Sequence, residues 1–410
     1  MQKEQADQQE TKAYLRHLKQ HVQAPVHRFA AIVPPELAAL CGDELASLGF
    51  SEIKMTDAGV EFFGKLKSCY LPNLCLRTAS RILCRFSPFR AGAVEELFQR
   101  VSQHRWELWL NPKIPLEVRA FVQSSRITHE GLAEQTVLEG MGRRFQSLHL
   151  SPPARLLPTI LDEGGGTANT PSKQQVLVHL RKNHCEISLD TSGDHLHRRG
   201  YRLEHTGAPL RETLAAAILL RSKWNGEIPL VDGMCGAGTV AIEAALLARR
   251  LPPGGRRSFL FEAWPGFQER SWDHLRRKLA EQALAQLPHP ILAMDSESPA
   301  LDIARKNAER AGVDQDIQWR TMDLFAFRPQ DYHLPPGLLV LDPPYGRRLE
   351  GGGKEFYEQL GRHLRQFFEG WQTVVLAPSK AEALSLKIPS MRFWQISHGG
   401  STIIAAMARP

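Results

Sequence analysis

The sequence predicts an α/β protein of more than one domain, with a doubly wound, largely parallel sheet in its C-terminal part and an α+β region before it. Three observations carry this. After Gly193, short apolar runs alternate with helix-patterned segments, the mark of a parallel sheet covered on both faces. Before Gly193, alternating strands and amphipathic helices follow one another without that regular unit. The chain, at 410 residues, is also too long for one ordinary core.

Composition narrows the class. Hydrophobic residues at 42% and charged residues at 23% are ordinary globular values. The mean hydropathy of −0.30, and the lack of any run near the roughly 18 apolar residues that a spanning helix needs, argue against a membrane protein. Residues 1–27 have no apolar centre and are rich in glutamine, so a frayed, flexible arm is expected there rather than a secretory signal. Cys41, Cys69, Cys75, Cys84, Cys185 and Cys235 form no C-x-x-C pair, which points away from a zinc site or disulfide framework and toward a reducing, cytoplasmic compartment. The net charge of +7 permits a polyanionic partner without requiring one.

The elements follow in order. "PPELAALCGDELASLGF" places Leu37, Leu40, Leu45 and Leu48 at helical spacing, with Gly49 as a stop. "GVEFFG" and "RTASRILCRFSPF" read as strand or mixed material. "PLEVRAFVQ" alternates Leu116, Val118, Ala120 and Val122 as a half-buried strand does, and "HEGLAEQTVLEGMGRRF" follows as a helix. Ser151 to Gln175, rich in proline, glycine and small polar residues, reads as a long surface loop. "QVLVHLRKNHCEISLDTSG" reads as a hairpin. Beyond Gly193 the candidate strands are "IPLVDG", "PILAMDS", "LLVLDPP" and "TVVLAPS", then "MRFWQIS" and "STIIAAMA" as a terminal antiparallel pair. A helix starts at Ser298 and Pro299, buries Leu301, Ala304, Ala308 and Ala311, and ends at Gly312.

In doubly wound folds ligands bind at the carboxyl ends of strands, and here those ends present Asp232, Asp295, Asp323 and Asp342. "DGMCGAGT" runs into a helix: Gly236 and Gly238 allow a tight turn near a ligand, although a plain βα connection would use the same residues. The spacing is not the dinucleotide fingerprint, and no lysine makes it a P-loop. Asp295 is placed to accept hydrogen bonds from a ribose and Asp323 from an adenine amino group, though a lone loop acid is also often just solvated. Pro343 and Pro344 cannot donate to a ladder and so end their strand. Asp342 and a proline carbonyl then form a preset pair of acceptors beside the flat face of Tyr345, suited to an exocyclic amino group whose released proton the carboxylate can take. Tyr345 would stack on the base, unless it is simply buried after a proline turn.

"DGMCGAGTVAIEAALLA", "AMDSE", "MDLF" and "DPPYGRRL" resemble, in this order, the motifs of class I S-adenosylmethionine-dependent methyltransferases that act on amino nitrogens. "SLDTSGDHLHRRGYRLEHTGAPLRETLAAAILLRSKW" and "FLFEAWPGF" resemble the THUMP-containing RNA guanine-N2-methyltransferases, in particular the N-terminal half of the bifunctional 23S ribosomal RNA methyltransferases of bacteria. The resemblance implies a ferredoxin-like segment over 28–66, a THUMP RNA-binding domain over 67–192 and a Rossmann-like, seven-stranded methyltransferase domain over 193–410. It implies S-adenosylmethionine as donor, with Asp232, Cys235, Gly236, Gly238 and Thr239 around its methionine end, Asp295 at its ribose and Asp323 at its adenine. Asp342, Pro343, Pro344 and Tyr345 would hold the target base. The acceptor implied is a guanine N2 in RNA, 23S ribosomal RNA first; a transfer RNA guanine, an adenine N6, or a non-catalytic RNA-binding or assembly role are the alternatives.

For RNA, the resemblance points to Arg126 in "SSRITH" and to Arg143 and Arg144 on the next helix, which alone would read as solvated surface. Arg199, Tyr201 and Arg202 match the family's entry segment and are expected to touch RNA or donor. Where the family usually has proline after the first acid this chain has Gly233, which is expected to loosen the turn. Because the chain stops at Pro410, the second activity of the bifunctional relatives is expected to be absent, and neither a metal nor a membrane is implied.

Overall fold

The expected alternation of Leu116, Val118 and Ala120 is a strand in the computed structural model, which describes residues 11–156, 173–203, 210–343, 353–398 and 401–410. The chain divides into two compact units. The first combines the N-terminal segment up to Val33 with Cys41–Leu196 and Arg257–Arg277, and the second combines Pro34–Leu40, His197–Arg256 and Lys278–Pro410.

The first unit holds strands β1 (His27–Ile32), β2 (Ile53–Thr56), β3 (Gly59–Gly64), β4 (Arg81–Arg85), β5 (Phe89–Arg90), β6 (Leu116–Gln123), β7 (Gln174–Arg181) and β8 (His184–Asp190). Their order is β2-β3-β1-β4-β8-β7-β6, with β5 beside β8. The β7–β8 hairpin is as expected, turning through Lys182 and Asn183, both left-handed with φ of 50° and 61°. Val118, Ala120, Val176, Val178 and Leu180 are buried on one face, while Phe121, His179 and Arg181 on the other are exposed. The helices Val94–Gln103 and Glu130–Ser147 approach closely at Gly140, where a Cβ would stand 2.8 Å from Val101 Cγ1.

Two expectations change here. The polar N-terminal arm is helical over residues 11–23, with Leu18 and Val22 buried. One helical turn apart, these two apolar residues form a buried strip that overall polarity hides, and Val22 packs near Gly266, where a Cβ would stand 2.9 Å from both Val22 Cγ1 and Leu66 Cδ2. The long loop lies mostly outside the described residues, at 157–172. Its start runs along β6, Leu116 N–H donating to Ala154 O and Leu156 N–H to Leu116 O, both at 2.8 Å, and its end, Gln174 and Gln175, already belongs to β7.

The second unit holds β9 (Leu230–Asp232), β10 (Ile291–Asp295), β11 (Ile317–Thr321), β12 (Leu338–Leu341), β13 (Gln372–Ala377), β14 (Arg392–His398) and β15 (Ser401–Ala408), in the order β11-β10-β9-β12-β13-β15-β14. β9 through β13 pair in parallel and β15 antiparallel to both β13 and β14, the terminal pair expected. β9 and β12 are buried throughout, as continuous apolar runs covered on both faces must be. The helix Ser298–Ala311 ends at Gly312 with φ 73° and buries Leu301, Ala304, Ala308 and Ala311. β11 was not expected: in "IQWRT" only Ile317 is buried, so this edge strand carries no apolar run. Among the described residues no helix is long and apolar enough to cross a membrane.

Candidate active site

β9 is flanked by β10 on one side and β12 on the other, so the sheet order reverses at this strand and a crevice opens beyond it. Asp232 pairs in register with Ala293 and Val340. Asp295 and Asp342 follow two residues beyond those partners, which brings both back to the face Asp232 occupies. Asp232 is buried, and its Oδ2 accepts a hydrogen bond from the Ala241 N–H at 3.1 Å. Burial raises its pKa to about 8; the charges of Asp342 and Asp295 add to this, against the opposing Ala241 hydrogen bond. Asp232 therefore keeps its proton at neutral pH until a cation approaches.

The glycine turn is held by the same acids. Gly236, left-handed with φ 50°, donates its N–H to Asp295 Oδ2 at 2.9 Å, and the Glu297 N–H donates to Asp295 Oδ1 at 3.0 Å. Each oxygen keeps a further lone pair for a ligand. Cys235 N–H donates to Met294 O at 2.9 Å and Gly238 N–H to Cys235 O at 2.8 Å. Gly238 has φ 80° and a Cβ there would lie 2.9 Å from Ala304 Cβ, so the backbone stays bare where the helix Thr239–Ala248 begins. Gly233 does not loosen the turn, as expected of it. Its N–H donates to Val340 O at 3.1 Å, and a Cβ would stand 2.5 Å from Leu341 Cδ2 and 3.0 Å from Leu324 Cδ1. Proline would lose that hydrogen bond and meet the two leucines.

Asp323 is exposed and caps the short turn Leu324–Ala326 by accepting from the Phe325 N–H at 2.8 Å. Beside it Met322 and Phe325 are half-buried, Phe325 edge-on to Phe356 at 6.0 Å and to His363 at 5.6 Å. Sequence reasoning named the acid and passed over this apolar wall, whose only signal is the Met and Phe flanking "DL". Asp342 is half-buried and Pro343 buried at the end of β12; Pro344 and Tyr345 lie outside the described residues.

The entry segment is placed otherwise than expected. Arg199 is buried and its Nε lies 3.4 Å from Glu243 Oε1, to which the buried Tyr201 hydroxyl donates at 3.1 Å. Arg202 donates to Thr239 Oγ1 at 2.6 Å and to Leu210 O at 2.9 Å, and pairs with Glu212 at 3.4 Å. These side chains point into the second unit and tie the segment to the helix Thr239–Ala248, so an RNA-facing role is corrected to a positioning one. The cause is Glu243: a fully buried carboxylate needs partners, and Arg199 and Tyr201 supply them.

In the first unit the predicted cations separate. Arg144 makes a two-pronged pair with Glu107, at 2.9 and 2.6 Å, which neutralises it and removes it as a phosphate contact. Arg143 is exposed. Arg126 accompanies the tip of the hairpin, its N–H donating to Asn183 Oδ1 at 2.8 Å.

Residues 199–392 match the family model described as RMKL-like, methyltransferase domain, and residues 28–83 match the RlmL ferredoxin-like domain. The latter range ends within β4, which pairs with β1. The chain is 33% identical over 357 residues to "Putative RNA methyltransferase YpsC" of Bacillus subtilis, covering 84% of this chain and 85% of that one. It is 36% identical over 385 residues to "Ribosomal RNA large subunit methyltransferase K/L" of Methylococcus capsulatus, covering 90% of this chain and 50% of that one, so it spans about half that relative's length. The solved structure of SMU.472 complexed with SAH matches with a TM-score of 0.81 at 27% identity, over 94% of this chain and 98% of that one.

Proposed function

We propose, from the premise that this chain belongs to the RMKL-like methyltransferase family, that it transfers a methyl group from S-adenosylmethionine to the exocyclic N2 of a guanine in RNA, with large-subunit ribosomal RNA as substrate. The observation that carries the reading is the end of β12: Asp342 and Pro343 stand at the switch point, on the same side of the sheet as the buried Asp232.

The residues fit the donor. Gly238 leaves bare backbone where a Cβ would press on Ala304, Asp295 retains lone pairs for ribose hydroxyls, and Met322 and Phe325 offer an apolar wall beside Asp323 for a flat ring. Three clustered carboxylates also suit a ligand that carries both an ammonium and a sulfonium charge. When bound, the donor supplies an electrophilic methyl carbon on sulfur. Asp342 would accept one N–H of the target amino group and the proline carbonyl the other, aiming the nitrogen lone pair out of conjugation; as the N–C bond forms, the methyl–sulfur bond would break with its electron pair left on the departing thioether, and Asp342 would take the proton released from nitrogen. The ties from Arg199, Tyr201 and Arg202 to Glu243 and Thr239 would keep the glycine turn in place. A THUMP RNA-binding region over 67–192 and a cytoplasmic location belong to the same reading, supported by the ribosomal RNA named for the K/L relatives.

The test is incubation with isotope-labelled donor and RNA from cells lacking this gene, followed by nucleoside mass spectrometry. Labelled N2-methylguanosine in large-subunit RNA is expected. Label on adenosine, or only in transfer RNA, would overturn the acceptor; no label in any RNA would overturn the activity.

A further inference from the structure

We propose that the open face of the first unit's sheet, at β6 and β7, is a stacking site for an unpaired nucleotide of the substrate RNA. This rests on the RNA-modifying reading above and adds to it the form in which the RNA is held.

The register sets Phe121 beside His179 on this face, and the two rings are stacked, 4.9 Å apart with planes within 18°. Phe121 is 46% exposed. An aromatic pair exposed on a sheet face gains more from a third ring than from solvent. β6 is the last strand of the sheet, so the face of Phe121 turned away from His179 looks over the sheet edge, where a base can extend the stack. The imidazole pKa lies below its ordinary value because of partial burial and the nearby Arg85, so at neutral pH the ring is uncharged and stacks like an aromatic.

Charge fits the same occupant. Arg126, Arg181 and Lys182, at or just beyond the ends of β6 and β7, make no ion pair among the described residues. Arg126 lines a shallow recess with Val122, Ser124, Ser125, Thr128 and Asn183, the residue that follows Arg181 and Lys182 in the chain. The acid nearest to the pair on this face, Glu186, is already engaged by Arg28 and Arg85. Aromatic faces beside unpaired cations suit a strand of nucleotides, whose bases stack and whose phosphates take the charge. A duplex keeps its bases inside and cannot use the rings. Addition of a protein strand is disfavoured by the edge itself: β6 is bonded to Ala154 and Leu156 at Leu116, and the Ala120 N–H already donates to Glu134 Oε1 at 3.0 Å.

The probe is a short fluorescein-labelled single-stranded oligoribonucleotide, with the same strand in a duplex, titrated against the full chain and its Phe121→Ala, Phe121→Leu and Phe121→Trp variants. Phe121→Ala and Phe121→Leu should weaken single-strand binding about 5- to 100-fold and Phe121→Trp should preserve it, while duplex binding stays the same in all four. Because the side chain is exposed, all should melt within a few degrees of one another, which separates loss of the site from loss of the fold. A chain that methylates RNA yet binds the single strand equally well with alanine at 121 overturns this inference and leaves the methyltransferase reading standing. A chain that methylates no RNA but shows the Phe121 dependence overturns that reading and supports this site. Leucine performing as well as tryptophan also overturns it, since the contact would then be apolar rather than stacked.

Discussion

The Gly236 N–H donates to the Asp295 carboxylate at 2.9 Å, so the acid expected to hold a donor ribose also holds the glycine turn that faces it. Asp295→Ala should free the turn and remove the ribose acceptor together, weakening S-adenosylmethionine binding about 10- to 100-fold, as loss of hydrogen bonds to a charged group does. Isothermal titration with the donor measures this; an unchanged Kd would show that Asp295 serves the loop alone.

Asp232 has a folded-state pKa of about 8 against an ordinary value of 3.8. Because the folded value is the higher, its contribution to stability is complete below the ordinary value and is lost as pH rises toward and through 8. Glu44, Asp190 and Glu212 are shifted the same way by burial and add to this loss, while Glu117 and the imidazoles of His104 and His363, shifted down, act in the opposite sense. Asp232→Asn should remove its share, leaving a shallower fall between about pH 4 and pH 8 in denaturant titrations. Parallel curves for the two proteins would contradict the buried, proton-bearing aspartate.

Gly233→Pro should destabilise the second unit by about 2–4 kcal/mol, from a lost hydrogen bond to Val340 and a side chain forced against Leu341. Gly233→Ala keeps the N–H and isolates the steric part. Equal stability of the proline variant would mean that the turn is as loose as the sequence alone led one to expect.

Glu243→Ala should cost about 3–5 kcal/mol, because Arg199 and Tyr201 are buried around that carboxylate. Glu243→Gln, which can still accept from Tyr201, should cost less. Urea unfolding measures both, and a silent alanine variant would show that the entry segment is not tied down here.

Asp342→Ala should lower kcat about 100- to 10000-fold, the usual span for a lost acid or base, while donor Kd stays within a few-fold. Turnover that survives would remove Asp342 from the role of proton acceptor.

Much of the second unit was legible because its strands are apolar on both faces and each closes on an acid or a turn. Val231, Val340 and Val374 announce themselves as core without any knowledge of their neighbours. β11 was not legible, because an edge strand that faces water on most positions has no reason to be apolar. Nor was the N-terminal helix, where among the described residues only Leu18 and Val22 are buried and the exposed positions are free to be polar. The arginines were the hardest to read: Arg126, Arg144 and Arg199 look alike in a sequence, and their partners lie 57, 37 and 44 residues away.

By itself the sequence determined which residues end strands, where glycine must replace a side chain, and that four acids fall at strand ends, all of which depend on near neighbours and on backbone stereochemistry. Only the tertiary structure decided that Asp232 would sit dry between Asp295 and Asp342, that Arg199 and Arg202 would turn inward, and that Phe121 would stack on His179 in the open. Desolvation, charge pairing and ring stacking are set by distance in space, and the strand register that fixes those distances is a property of the folded sheet rather than of any one segment.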